Sequence, residues 1–167
     1  MTEVVAVRER DQTLHFTFAD ALRYAGPHSP AGVAIAFKAL QLAFDVLSPD
    51  APPERREVFV RTPFRGPGAR DAFEVVTRAV TDGHYVVDRT LVRSDRGHRL
   101  EDFVFEIELG GATMTLMLRD GFVDDEFIDL AGTEPRTEAQ QHRLDTLKAQ
   151  LAQRIMATAA AEVFELA

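Results

Sequence analysis

The chain has 167 residues, 46% of them hydrophobic, and a formal net charge of −8. That is ample for one core, and the acidic balance argues against nucleic acid and anionic membrane surfaces as partners. The absence of cysteine excludes disulfides, thiol catalysis and iron–sulfur clusters, and leaves any metal to His, Asp, Glu or backbone oxygen.

Met1 to Gln12 carries charges and no long apolar run. It does not read as a signal peptide, so a cytoplasmic setting is expected. Val4, Val5 and Val7 suggest no more than a frayed strand. Thr17 with Asp20 three residues on is a capping box for a short helix to about Ala25, stopped by Gly26-Pro27. Ser29 and Pro30 then read as N-cap and first residue of a long helix to Leu47. Val33, Phe37, Leu40, Phe44 and Leu47 stripe one side of it, and Ile35, Leu42, Val46 and several alanines fill much of the rest. A helix apolar on most sides is buried on most sides. It is expected at the centre, with a second face covered by the sheet, another helix or a second copy of the chain. Lys38 and Asp45 count against a membrane span.

A proline-rich loop follows, then a strand over Glu57 to Thr62. The loop PFRGPGA, residues 63–69, leads into a helix placed at about Arg70 to Asp82, with Gly83 as its end. Strands are predicted over His84 to Ser94, Leu100 to Leu109 and Ala112 to Arg119, joined by turns at Asp95-Arg96-Gly97 and Gly110-Gly111. Gly121 to Pro135 reads as acidic and irregular. Asp124, Asp125, Glu126 and Asp129 fit a solvated loop better than a calcium site. From Arg136 the pattern is helical to near Phe164, with Leu144, Leu147, Leu151, Ile155 and Ala159 on one stripe. The whole is a single α+β domain over residues 1–167. It has a mixed four-stranded sheet, helices on one face, and residues 134–166 as a helical extension. The strand–helix–strand unit is a crossover, so its two strands are expected to be parallel or separated by another strand.

Two stretches resemble the E-subunit-like family of formylmethanofuran dehydrogenase. One is Gly26-Pro27-His28-Ser29-Pro30-Ala31-Gly32 and the helix start to Lys38, against the pattern HGHxCPGxxxGxR. His28 matches the second histidine, Gly32 the glycine and Lys38 the basic residue. The other is Asp71-Ala72-Phe73-Glu74, against Asp-Ala-(Ile/Leu)-Gln. The tail from Ala159 to Leu166 is similar to the family's closing motif. The resemblance implies a mixed four-stranded sheet and a homodimer. It also implies a metal site reduced to a skeleton. The family's metal-binding cysteines fall at Pro30 and Gly68, its first histidine at Gly26, and its zinc module is absent. His28 alone remains, so only a weakly held divalent metal such as zinc is expected.

His28 precedes a helix N-terminus, where N–H groups favour anions and polar ligands. It reads either as a turn histidine or as a ligand-facing one. Asp71 and Glu74, taken as first-turn residues, serve either the helix dipole or a pocket. Arg65, with Gly66 and Gly68 nearby to allow close backbone approach, suits a carboxylate or phosphate. His84 at a strand start is either surface or part of the same site. The leading expectation is a small-polar-ligand binding or accessory protein with its site at His28, Arg65, Asp71, Glu74 and His84. The alternatives are a small enzyme with His28 as general base beside Asp71 or Glu74, acting on a one-carbon, pterin-type or small acid substrate, and a dimeric assembly module without a pocket.

Overall fold

The computed structural model describes residues 3–167; Met1 and Thr2 of the N-terminal reading lie outside them. The chain opens with a hairpin, β1 (Val4–Glu9) and β2 (Gln12–Thr17), paired from Val4 opposite Thr17 to Glu9 opposite Gln12. Arg10 takes a positive φ at the turn. This hairpin is a correction to the frayed strand expected there. Its only inward residues on β1 are Val5 and Val7, a pattern too short to stand out from the charged residues around it.

Helix α1 (Phe18–Ala25) starts as predicted. The Thr17 side chain accepts from the Asp20 N–H, and Asp20 returns a bond to the Thr17 N–H. Helix α2 (Pro30–Leu47) matches the predicted span. It lies between the main sheet and the hairpin, touching β5 (Val104–Leu109) and β6 (Ala112–Leu118) on one side and β1 on another. Helices α3 (Pro67–Thr77) and α5 (Glu138–Met156) pack along it most extensively, and together these neighbours leave Val33 through Leu40 all buried, Lys38 included. The Lys38 ammonium is fully enclosed and reaches both carboxylate oxygens of Glu3 at 2.9 Å. Among the described residues α2 is the one helix long and apolar enough to cross a membrane, and most of it is inside the fold.

The main sheet has five strands, one more than predicted, in the order β4-β3-β5-β6-β7. Strand β3 (Phe59–Thr62) runs parallel to β4 (Tyr85–Val87), to which helix α3 (Pro67–Thr77) connects it. β3 is antiparallel to β5, β5 to β6, and β6 to β7 (Phe164–Leu166). Val60, Phe105, Ile107, Met114, Leu116 and Leu118 face the helices and are buried. On the outer face Arg61 pairs with Asp88 and with Glu106.

Several boundaries differ from the sequence reading. β4 stops at Val87, because Asp88 turns the chain by accepting from the Thr90 N–H and begins a 3-10 turn over Arg89–Leu91. The segment to Phe103 is therefore a loop. The turn at Asp95–Gly97 joins no paired strands, since β3 lies between β4 and β5. The acidic stretch contains helix α4 (Asp125–Ala131), with the Asp124 carboxylate accepting from the Phe127 N–H. Helix α5 (Glu138–Met156) ends early. After one turn, α6 (Ala160–Val163), the tail becomes β7. Alanine-rich sequence favours a helix locally, but the sheet edge outweighs that preference. Phe164 is buried edge-on against Phe105, and the Arg119 backbone and guanidinium bond to the Val163 and Phe164 carbonyls.

Candidate ligand cleft at the crossing of two helix starts

The first turns of α2 and α3 cross at glycines. A Cβ on Gly68 would stand 2.3 Å from the Ser29 carbonyl oxygen and 2.7 Å from the Ser29 Cβ. One on Gly32 would stand 3.0 Å from the Ala69 backbone nitrogen. Only glycine lets the two backbones approach this closely. Both helices carry proline in the first turn, neither N-cap makes a side-chain bond, and neither first turn holds an acidic residue. Their first N–H groups therefore lack both an intrahelical acceptor and a local anion.

Beside this crossing lies a cleft of about 570 Å³. Ser29, Ala31 and Gly32 line it from α2, and Phe64 to Gly68 from the loop and start of α3. His98, Arg99, Glu101, Asp102 and Phe103 line it from the long loop, Phe127, Ile128, Ala131 and Gly132 from α4 and its end, and Lys148 from α5. Arg143 holds α4 to α5 through both oxygens of Glu126, at 3.0 and 2.8 Å. Arg89 braces the other wall, 2.7 Å from the Pro63 carbonyl and 3.0 Å from Asp102 Oδ1. Asp102 Oδ1 is buried and has no aligned hydrogen bond, so Arg89 meets it as a charge and not as a donor. Arg65 and Lys148 have no carboxylate partner among the described residues, and the Lys148 Nζ donates to the His28 carbonyl at 3.1 Å. A broader depression at the start of α5, around Glu134, Arg136, His142 and Asp145, is shallow and open to solvent.

Of the five site residues expected from sequence, Arg65 alone lines the cleft. The other four are corrections to the predicted grouping. His28 is exposed in the turn before α2 and contributes its carbonyl to the Lys148 contact. Asp71 and Glu74 are not in the first turn, because α3 begins at Pro67, three residues earlier than Arg70. Asp71 lies 3.7 Å from Arg70. Glu74 points along the helix to its C-terminal end, where it is buried and accepts from the Thr81 N–H and hydroxyl at 2.8 Å and from Arg78. His84 stacks on Phe59 with ring centroids 3.9 Å apart. β3 and β4 run parallel, so His84 and Phe59 sit at their starts, while the cleft follows the end of β3. No hydrogen bond joins His28 to a carboxylate among the described residues, so the general-base pair is not formed.

The same residues do not fit a metal. Among the described residues no group of three or more His, Asp or Glu could hold an ion. The position matched to a ligating cysteine, Gly68, leaves no space for a side chain. Sequence reasoning missed Lys148, which falls in the predicted C-terminal helix off its apolar stripe, and Phe127 and Ile128, taken as loop. The Asp124-Asp125-Glu126 run before two apolar residues is a helix-start signal that would have placed α4. No protein-family model matches the chain, and no curated protein matches it.

Proposed function

We propose that the chain is a binding or accessory protein, a divergent relative of the formylmethanofuran dehydrogenase E-subunit-like family, that holds a small polar ligand in the cleft where α2 and α3 begin. The observation that carries this is a pair of cations without carboxylate partners, Arg65 and Lys148, on a cleft bordered by two helix starts free of acidic residues. Clefts of about 300–1,000 Å³ are the usual size for small-molecule sites. Support for the family reading comes from Gly68, one of the two positions where the resemblance puts the family's cysteines, which lies against Ser29, the residue next to the other position at Pro30. The ligand site is inferred to have moved from His28 to Arg65 and Lys148, without a metal.

The test is thermal unfolding against a panel of small acids, amines and sugars, with an Ala131→Trp variant that fills the cleft from an exposed position on α4. A ligand at one hundred times its Kd stabilises by about 2.7 kcal/mol, which raises Tm by roughly 5–10 °C in a domain of this size. The expected hit raises Tm of the wild type and not of Ala131→Trp. An equal rise in both, or no hit in the panel, contradicts the reading.

A homodimer is the proposed assembly. The Gln41 Oε1 atom, buried without a partner beside a groove lined by Val4, Phe44 and Pro52, supports an additional contact there. Light scattering at twice the monomer mass is expected; a monomer at all concentrations contradicts it.

A further inference from the structure

We propose that the cleft selects an organic monoanion with a flat apolar body, an aryl carboxylate being the best match; this rests on the cleft being the ligand site. The charge of the site is local and runs against that of the chain. The protein carries a net −8, yet Arg65 and Lys148 meet no carboxylate among the described residues. Arg99 is different, lying 3.6 and 3.7 Å from Asp125 and Asp120, which offset it. His98 is exposed at the rim.

The negative groups set the charge the ligand carries. Asp102 is held by Arg89 at 3.0 Å, and Glu101 also lines the cleft. Glu101 repels a doubly charged phosphate more than a singly charged carboxylate. The apolar requirement comes from Phe64, Phe103, Phe127 and Ile128. Phe64 and Phe103 lie tilted with centroids 4.9 Å apart. Phe64, Phe127 and Ile128 are only partly buried, so a flat ring laid against them removes further apolar surface from water. Bare inorganic anions use none of this wall, and neutral aromatics use neither cation.

Titration calorimetry with 2-naphthoate, its neutral amide 2-naphthamide and inorganic phosphate tests the proposal. Naphthoate is expected to bind at least tenfold tighter than either of the other two. Arg65→Gln and Lys148→Met are each expected to weaken it about tenfold, the usual scale of one charge-assisted contact. Arg65 is exposed and makes no hydrogen bond or ion pair among the described residues, so its variant is expected to keep the wild-type Tm. Equal binding of naphthamide overturns the anionic requirement, and equal binding of phosphate overturns the apolar one; both leave the cleft as a ligand site. Unchanged naphthoate affinity in both variants places the binding elsewhere and overturns the proposal. No binding by any of the three overturns the proposal and, with a failed Tm panel, the cleft reading too.

Discussion

Gly68→Ala probes the crossing on which the cleft depends. The new methyl would sit 2.3 Å from the Ser29 carbonyl oxygen, 2.7 Å from the Ser29 Cβ and 3.2 Å from the Val33 nitrogen. Two of these three atoms are backbone at the first turn of a buried helix, so neither can swing aside. The helices have to part by about 1 Å to restore ordinary contact. Over-packing of this kind costs roughly 1–3 kcal/mol, and the helix preference of alanine over glycine returns up to about 1 kcal/mol. The net expectation is a loss of about 1–2 kcal/mol. With a urea slope of about 2 kcal/mol/M, the midpoint falls by about 0.5–1 M at unchanged slope. Gly66→Ala is the control. Its methyl would also stand 2.3 Å from a neighbour, but that neighbour is the tip of the half-buried Phe64 ring. The ring can rotate, so the control is expected to cost less. A Gly68→Ala midpoint equal to or above wild type, or a Gly66→Ala loss larger than that of Gly68→Ala, refutes the reasoning.

The enclosed Lys38 gives a second pair of variants. Glu3→Gln strands a buried ammonium, and because the Glu3 side chain is 39% exposed the loss is expected at about 1–3 kcal/mol, below the usual range for a broken buried pair. Lys38→Met should be near neutral by the same chemical denaturation, and a Lys38→Met loss greater than that of Glu3→Gln contradicts the assignment. Acid should weaken the fold: Glu9 is held below the ordinary carboxylate range chiefly by Arg55, Asp20 by the Thr17 backbone, Asp88 by Thr90, Asp95 by Arg93 and Glu126 by Arg143. Such groups bind fewer protons folded than unfolded, so the stability they add is complete above the ordinary carboxylate pKa and is lost as pH falls through their lowered values. Urea midpoints should drop between about pH 5 and about pH 3, and a flat profile contradicts this.

The parts of the fold with local signals were legible. Thr17 and Asp20 announced α1, Ser29-Pro30 announced α2, and the two glycines marked the β5–β6 hairpin. Phe103, Phe105, Ile107 and Leu109 alternate with Glu106 and Glu108 and are buried as that pattern requires, although Val104, on the same face as the two glutamates, is buried as well. What failed was long-range or weakly coded. β7 exists only because Phe164 finds Leu118 across the sheet, and nothing in Ala159 to Leu166 encodes that partner. The start of α3 was misplaced although Pro67 suits the first helical position, and the shift took Glu74 out of the presumed site. The cleft was half legible. The two Gly/Pro turns do bring the helix starts together at Gly32 and Gly68, but the cations there without carboxylate partners are Arg65 and Lys148, and the position of Lys148 in α5 says nothing of its destination.

The most direct test of the cleft is a two-dimensional amide NMR titration of the whole chain with 2-naphthoate. Saturable shifts are expected at Ala31, Gly32, Gly68 and Ala69 and along Phe127 to Gly132, with those at Glu134 to Asp145 near baseline. Shifts confined to the depression at the start of α5, or scattered over the surface without saturation, would contradict the account.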